Sequence, residues 1–507
     1  MDPRQQQMLM MQMQQQQQNP NNGMVEFQQP ASPKEFEKIY RKAKKQIPGI
    51  TVVSPMYGDR TVTDRMVHSV IYQFISKRNP FKIHLVLVDD YLEKRGENDE
   101  SYYEYYTSEE FAKGYDTDKI KITIIKNPEH KYQGESREIG FLAGDYDYFL
   151  LLDCDDMLAP NACDRYLNML RRNQMNAGQP GFKKIACIYG YLYGFDTDGF
   201  EQKVVGESIW VQSRCYSRTF CKKHEIHFPT GTNSRQGEDY PFIRKFDYAL
   251  NHDEEYAALK TEYNEGKDCQ CTAYWFPNEN SLSRKDPHYG QHLAGWTMNS
   301  SNAILDFFDE YNKKHGFEDQ EDEFMKHEYL NMNVYAFYNL LDFLKEVAST
   351  KWEPLEEDWY AIRDAVDKLR QRLVDKYYDE IVYSDIEDML FNVHHHSDVR
   401  FTESWIGTFY DYMKERSPIF DMSYDEMRKY CKTLKFDGAG HEIHASYVKA
   451  WEERHADIIA EAKAKQAEFE AQRKAEREAR RKLGKKSSKK RKEDKTTEGE
   501  ETMTIVK

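Results

Sequence analysis

The stretch YFLLLDCDDMLAP, residues 148–160, changes character abruptly in its middle. Residues 149–152 form an apolar run, and Asp153, Asp155 and Asp156 then place three acids within four residues. A short apolar run bounded by polar residues is typical of a buried strand. The stretch therefore predicts a core strand whose carboxyl end carries a cluster of negative charge.

Similar apolar runs flank this stretch and predict further strands. Three predicted strands precede it: ITVVSP (50–55), FKIHLVLVDD (81–90) and IKITIIKN (120–127). Helical patterns lie among them: a capped start at Ser32-Pro33-Lys34-Glu35, an apolar stripe over 64–76, and ESREIGFLAG (135–144). Strands that alternate with helices predict an α/β fold with a mostly parallel sheet covered by helices on both faces.

The predicted strands end in residues suited to bind a ligand. These residues are Ser54, Asp89, Asp90, Asp153, Asp155 and Asp156. In open α/β sheets, ligands bind beyond the carboxyl ends of the strands. Crowded carboxylates raise each other's pKa unless a cation intervenes, and hard oxygen ligands suit Mg²⁺ or Mn²⁺. The alternative interpretation is that Asp155 or Asp156 only caps the next helix.

Charge and cysteine content limit the classes of function. The chain of 507 residues has a net charge of −15, but residues 473–495 carry 13 basic and 4 acidic side chains, a balance of +9, which leaves −24 elsewhere. This negative charge on the rest of the chain argues against a groove that binds nucleic acid. Eight scattered cysteines without a secretory signal predict reduced thiols and a cytoplasmic protein. No apolar run is long enough to predict a membrane span.

Changes in composition divide the chain into five predicted parts. They are a disordered Gln/Met-rich segment (1–31), the α/β domain (32–295), a separate helical accessory domain (296–445), a charged helix (446–483) and a disordered tail (484–507). The apolar stripe of the charged helix is thin, which favours a solvated helix over a coiled coil. The basic tail predicts an anionic partner or surface, with a simple solubility tail as the alternative.

Five segments, in order, resemble the inverting family 2 glycosyltransferases with a GT-A fold. They are VVSPMYGDR (52–60), LVLVDD (85–90), GESREIGFLAG (134–144), FLLLDCDDMLAP (149–160) and GEDYPFIRKF (237–246). The fourth contains the D-x-D motif of that family. The resemblance covers about residues 50 to 290 and implies a GT-A fold and a glycosyltransferase activity.

The resemblance implies a donor-binding role for six residues. Ser54 and Pro55 would border the nucleotide, Asp89 or Asp90 would hydrogen-bond the base, Arg137 would lie near the base or diphosphate, and Asp153 would meet the ribose. Gly140 matches a glycine of the same motif, whereas Glu138 replaces the family's asparagine. The Gln-x-x-Arg-Trp motif of processive synthases is missing, so a transporting polysaccharide synthase is not expected.

The resemblance also implies a metal centre and a catalytic base. Asp155 would bind Mn²⁺ or Mg²⁺ with Asp156 alongside, and His288 would be a further ligand. Glu238 and Asp239 match the family's acid pair, with Asp239 as the base. A base of this kind takes the proton of the attacking hydroxyl, and one displacement inverts the anomeric centre.

We therefore expect a metal-dependent inverting transferase that moves a sugar from a nucleotide donor, UDP-linked, to an acceptor hydroxyl. The first alternative is a catalytically silent relative whose helical region and tail act as a binding scaffold. The second is a transferase acting on modified DNA bases. The basic tail is compatible with the DNA alternative, whereas the −24 body opposes it.

Overall fold

The computed structural model describes most of the chain from residue 33 to residue 433. The described residues are 33–57, 60–77, 79–90, 105–195, 202–207, 211–231, 237–261, 271–276, 287–317, 323–350, 352–377 and 417–433, with positions 453, 456, 460 and 464. The predicted segments 1–31 and 484–507 and nearly all of the predicted charged helix 446–483 lie outside these residues.

An alternating succession of strands and helices builds the first part of the chain. Its elements are α1 (Pro33–Gln46), β1 (Gly49–Met56), α2 (Arg60–Ile71), β2 (Lys82–Asp89), α3 (Glu109–Ala112), β3 (Ile120–Lys126), α4 (Tyr132–Ala143), β4 (Tyr148–Leu151), β5 (Met157–Leu158) and α5 (Ala162–Gln174). The four strands predicted from apolar runs are β1 to β4, and α1 begins at the predicted Pro33.

Shorter strands and the remaining helices follow. They are β6 (Lys184–Tyr189), β7 (Tyr191–Phe195), β8 (Gln202–Glu207), β9 (Arg214–Ser217), α6 (Arg218–Lys223), α7 (Asp239–Asn251), β10 (Tyr256–Lys260), β11 (Cys271–Trp275), α8 (Tyr289–His292), α9 (Ala294–His315), α10 (Glu323–Thr350), α11 (Glu356–Tyr377) and α12 (Tyr424–Cys431).

The main sheet is mixed but mostly parallel. Its strand order over the described residues is β10-β6-β9-β4-β1-β2-β3. β1 pairs in parallel with β2 and β4, β2 with β3, and β6 with β10, whereas β9 runs antiparallel to both β4 and β6. A smaller sheet has the order β5-β11-β7-β8. The predicted α/β class with a mostly parallel sheet is confirmed.

Helix α4 lies close against the centre of the sheet. A Cβ atom added to Gly140 would lie 2.3 Å from Cγ1 of Val53 in β1, so only glycine permits this approach. Every residue of β1 is buried. Close packing here fixes the position of α4, which carries several of the predicted site residues.

Helix α2 differs from the prediction for residues 64–76. It begins at Arg60 and ends at Ile71. The side-chain amide of Gln73 donates to the carbonyl oxygens of Ser69 and Ala159, and the N–H of Phe74 donates to Pro160 O at 2.7 Å. The bonds to Ala159 and Pro160 are tertiary, and with the side-chain bond to Ser69 they replace the next helical hydrogen bonds after Ile71.

The helical region packs on the α/β part. Helix α9 contacts α7 and α11, and α10 contacts α11. Contacts group the described residues up to Tyr377 and residues 417–433 in one compact unit, while positions 453 to 464 belong to a second unit. The predicted boundary between 295 and 296 therefore falls inside α9 and inside one unit. Among the described helices, none combines the length and apolar composition that crossing a bilayer requires.

Candidate active site

The carboxyl ends of β1, β2 and β4 meet at one edge of the main sheet. In the β1–β2 register, Pro55 pairs with Val88 and Met56 with Asp89, and Val53 pairs with Leu151 of β4. Ser54 and Asp89 are fully buried. The edge that carries the predicted nucleotide-binding residues therefore also receives the acids that follow β4.

Arg137 joins two distant carboxylates at this edge. Its guanidinium, 2% exposed, donates from Nη2 to Asp153 Oδ1 at 2.6 Å and from Nη1 to Glu238 Oε1. The two acids keep the pKa of Arg137 above its ordinary value although burial opposes this. Arg137 is thus committed to carboxylates of the chain, and it brings the start of α7 to the end of β4.

Asp153 is held by three side chains. In addition to Arg137, Gln133 donates to its Oδ1 at 3.0 Å and Gln212 donates to its Oδ2 at 2.5 Å. Gln133 and Arg137 are four residues apart in α4 and so lie on one face. Gln212 is buried, and its amide oxygen has no hydrogen-bond partner among the described residues. No periodic signal in the sequence marks Gln212, which lies in a short 3₁₀ helix (Val211–Ser213) between β8 and β9.

Glu238 and Asp239 stand at the amino end of α7. Glu238 is the N-cap residue but makes no side-chain capping hydrogen bond. Burial raises the pKa of Glu238 to about 7, Asp239 adds to the rise, and Arg137 opposes it. Burial likewise raises the pKa of Asp239. The helix dipole alone would favour the ionised form, but burial outweighs it here.

Asp155 and Asp156 form the turn after β4. The Asp155 carbonyl oxygen accepts a hydrogen bond from Arg65, and Asp156 Oδ1 accepts one from the N–H of Phe276 at 3.3 Å. Asp156 is buried, and its Oδ2 has no hydrogen-bond partner among the described residues. Burial, with Asp155 and Asp153 adding, raises its pKa well above the ordinary range. An unsatisfied oxygen in crowded acids fits a hard divalent cation.

His288 has different surroundings. Its ring stacks on Trp352 with centroids 4.9 Å apart, and its Nδ1 lies 3.7 Å from Glu346 Oε2. Within the described ranges, no group of three or more His, Cys, Asp or Glu side chains could hold a metal ion. The structure therefore does not assemble Asp155, Asp156 and His288 into one such group.

Asp90 is enclosed by neighbouring groups. Its Oδ1 accepts hydrogen bonds from Asn127 Nδ2 at 2.8 Å and from the N–H of Lys131 at 2.7 Å, and its Oδ2 lies 2.9 Å from His130 Nδ1. Asp90 is 3% exposed. Asp90 thus fixes the loop after β3, and no pattern in the sequence singles out Asn127 or His130.

Glu138 replaces the asparagine of the resembled motif and has a structural contact. Its carboxylate meets His227 Nδ1 at 2.8 Å and accepts the N–H of Phe228 at 3.0 Å. It therefore ties α4 to the segment after α6.

The comparison with protein families decides the class of the domain. Residues 51–234 match the family model described as Glycosyl transferase family 2. This segment, about a third of the chain, is therefore similar to a family 2 glycosyltransferase domain. The predicted resemblance, the GT-A fold and the glycosyltransferase class are confirmed. Glu238 and Asp239 lie just beyond the matched segment of this family 2 domain.

Individual relatives of the family 2 domain are distant. An "Uncharacterized glycosyltransferase" of Haemophilus influenzae is 23% identical over 124 residues, which cover 24% of this chain and 35% of that protein. The alignment thus spans about a third of the relative's length.

Two solved structures resemble the chain remotely. The crystal structure of S. aureus TarS 1-349 in complex with UDP-GlcNAc has a TM-score of 0.44 and 12% identity, covering 72% of this chain and 90% of its own. The mannosyltransferase PcManGT from Pyrobaculum calidifontis, in complex with GDP-Man and Mn²⁺, has a TM-score of 0.33 and 11% identity, covering 71% and 93%.

Proposed function

We propose that the protein is a metal-dependent inverting glycosyltransferase that moves a sugar from a nucleotide-sugar, UDP-linked, to an acceptor hydroxyl. The contact of Arg137 with both Asp153 and Glu238 carries this proposal. It joins the predicted donor-binding acid to the predicted catalytic acids. In such a site, one face binds the nucleotide while the other receives the acceptor.

Asp239 is the proposed general base, with Glu238 beside it. The base must take a proton from the acceptor hydroxyl as the oxygen attacks the anomeric carbon. A carboxylate whose pKa burial has raised is a stronger base than an exposed one. Arg137 keeps one positive charge beside these acids and limits the rise. A single displacement of this kind inverts the anomeric configuration.

Asp155 and Asp156 are the proposed holders of Mn²⁺ or Mg²⁺. The unsatisfied Oδ2 of Asp156 supports this assignment. When bound, the cation would act as a Lewis acid that neutralises the departing diphosphate. His288 is the proposed further ligand, as the family motif implies, and its ring also stacks on Trp352.

The remaining assignments concern the donor and the cell. We assign Ser54, Pro55 and one of Asp89 and Asp90 to the nucleotide and Asp153 to the ribose, as the family motif implies. The six cysteines whose side chains are described are all free thiols, which supports a reducing, cytoplasmic location. The basic segment 473–495 remains the proposed contact with an anionic partner.

The experiment is a donor panel with purified protein. UDP-, GDP- and CDP-linked sugars are incubated with Mn²⁺, Mg²⁺ or EDTA, and release of the nucleoside diphosphate is measured. We expect metal-dependent hydrolysis of one donor class, and Asp155→Asn should remove most of it. Full turnover in EDTA would contradict the metal assignment, and absence of nucleotide binding would favour the silent scaffold.

A further inference from the structure

Three aromatic rings stand together where β1 and β2 end. Tyr57 directly follows β1, His130 lies between β3 and α4, and Tyr132 is the first residue of α4. The ring centroids of Tyr57 and His130 are 5.1 Å apart, and those of His130 and Tyr132 are 4.1 Å apart. The His130 side chain is 21% exposed, so part of this cluster faces solvent at the ligand-binding edge.

The backbone conformation of Tyr132 is unusual. Its φ of 62° lies in the left-handed region, which bulky residues rarely adopt. Such a conformation persists only where the surrounding structure imposes it, and outliers of this kind concentrate at functional sites. Here it marks the point where the loop after β3 turns into α4 and sets the Tyr132 ring against His130.

Asp90 determines which nitrogen of His130 carries the proton. His130 Nδ1 faces two oxygen acceptors of Asp90, the carboxylate Oδ2 at 2.9 Å and the backbone carbonyl at 3.3 Å. A nitrogen between two acceptors must be the donor, so Nδ1 is protonated. In the neutral ring, Nε2 is then a hydrogen-bond acceptor directed away from Asp90.

Asp90 itself is an unsuitable direct partner for a ligand. It is buried, and Asn127 Nδ2, the Lys131 N–H and His130 already engage its two oxygens. Its contribution to a ligand therefore passes through His130. This separates the two acids at the end of β2, which the sequence alone leaves equivalent.

We infer that His130 Nε2 accepts a hydrogen bond from the Watson–Crick edge of the donor's base, with Tyr57 and Tyr132 beside it. The inference rests on the proposed function and names a specificity residue for it. Uracil presents an N–H at N3 and guanine one at N1, whereas cytosine N3 and adenine N1 present lone pairs. The acceptor on His130 therefore selects UDP- or GDP-linked donors and rejects CDP- and ADP-linked ones.

Binding of the four nucleoside diphosphates to the full chain tests the inference. UDP, GDP, CDP and ADP are titrated calorimetrically with Mn²⁺ present. We expect the wild type to bind UDP or GDP at least about 10-fold more tightly than CDP and ADP. The reason is that His130 Nε2, an acceptor, would face a lone pair of cytosine or adenine instead of an N–H. His130→Phe keeps a flat ring but has no acceptor, so this ratio should fall to about one.

Two further arms distinguish recognition from folding. The first arm uses the preferred nucleotide methylated at uracil N3 or guanine N1. The wild type should bind this methylated form about 10-fold more weakly than the parent nucleotide. His130→Ala should bind the two forms equally well. His68→Phe is the matched control. His68 lies in α2, and its ring also stacks on a tyrosine, Tyr72. This variant should leave every ratio unchanged.

The outcomes separate the two proposals. If the wild type binds none of the four nucleotides, the proposed function fails and the inference falls with it. If the wild type discriminates among them and His130→Phe, folded by circular dichroism, keeps the same ratio, only the assignment of His130 is overturned.

Discussion

Arg137 compensates two acids, the buried Glu238 and the partly buried Asp153, that would otherwise repel each other. Asp153 and Glu238 come from segments 85 residues apart, and each places a carboxylate oxygen on the same guanidinium. Buried charges are tolerated only when they are paired. The pairing therefore also explains how the end of β4 and the start of α7 can approach each other.

At the scale of single residues, Asp239→Asn should separate catalysis from folding. Asparagine has nearly the same shape as the Asp239 side chain, which stands at the first residue of α7. The N-cap residue Glu238 makes no side-chain capping hydrogen bond that the change could disturb. The change removes the proposed base, so transfer should fall about 10²-fold or more, while nucleotide binding with metal persists. Transfer and calorimetric binding are measured in parallel. The control Asp118→Asn changes an exposed acid; near-normal transfer by Asp239→Asn would refute the base assignment.

Glu238 should make the stability of the protein depend on pH. Burial raises its pKa from 4.5 to about 7, so the folded protein holds a proton that the unfolded chain releases in this window. Stability from this group is therefore present below pH 4.5 and declines as pH rises towards 7, by at most about 1.4 kcal/mol per unit.

Urea unfolding at several pH values measures this decline. Glu238→Gln, which cannot ionise, should show a smaller loss of unfolding free energy between pH 4.5 and 7 than the wild type. Identical pH profiles for the two proteins would mean that Glu238 does not hold a raised pKa.

The sequence predicts some residues of the candidate site and not others, for a physical reason. Asp153, Asp155 and Asp156 directly follow an apolar run, so local pattern and the strand-end rule suffice to place them. Gln212 and His130 act through contacts with residues 59 and 40 positions away. A polar residue outside the long helices and strands follows no periodic pattern in the sequence. Its hydrogen-bond partner is determined only by the tertiary fold.

At the scale of elements, Gly140 allows helix α4 to approach β1. Because Arg137 and Gln133 belong to the same helix, displacing α4 should disturb their contacts with Asp153. Gly140→Ala would place a methyl group 2.3 Å from Val53 Cγ1, and overpacking of this kind costs about 1–3 kcal/mol. We expect that loss in urea unfolding, together with reduced transfer.

A second substitution checks the cause. Val53→Ala removes the clashing methyl groups, so the double variant Gly140→Ala/Val53→Ala should recover part of the activity lost by Gly140→Ala. Gly290→Ala is the matched control, since an added Cβ there meets nothing within 4 Å. Equal losses from Gly140→Ala and Gly290→Ala would exclude steric displacement of α4.

Elements were predictable where local pattern dominates. The apolar runs of β1 to β4 match the strands closely, and the Ser-Pro start predicted α1 correctly. The end of α2 was wrong by several residues, because Gln73 and Phe74 bond to Ala159 and Pro160 across the fold. Helix ends set by such distant partners carry no local signature.

At the scale of the whole molecule, the helical region shares a compact unit with the α/β part. The composition change near residue 295 suggested a separate domain, yet α9 packs on α7 and begins at Ala294. Gly295 lies so close to α11 that an added Cβ would be 2.6 Å from the Ala361 Cβ. Composition reports the local type of structure but not which surfaces meet.

A buried ion pair couples the two regions and gives the last prediction. Arg244 of α7 and Glu328 of α10 are both 5% exposed at the side chain, and Nε donates to Oε2 at 3.1 Å. Removing one partner leaves an uncompensated buried charge, which costs about 3–5 kcal/mol. Arg244→Met should therefore lower the free energy of unfolding by that amount, measured in urea.

The double variant Arg244→Met/Glu328→Met should regain most of this stability, because replacing both charges by apolar groups of similar volume is often neutral. Lys314→Met, at the exposed Lys314–Glu225 pair, is the matched control and should cost less than about 1 kcal/mol.

All variants should still unfold in one transition over the α/β and helical regions, since α7 and α10 belong to one unit. Two separate transitions in the wild type would instead support an independent helical domain, and additive losses in the double variant would exclude coupling through this pair.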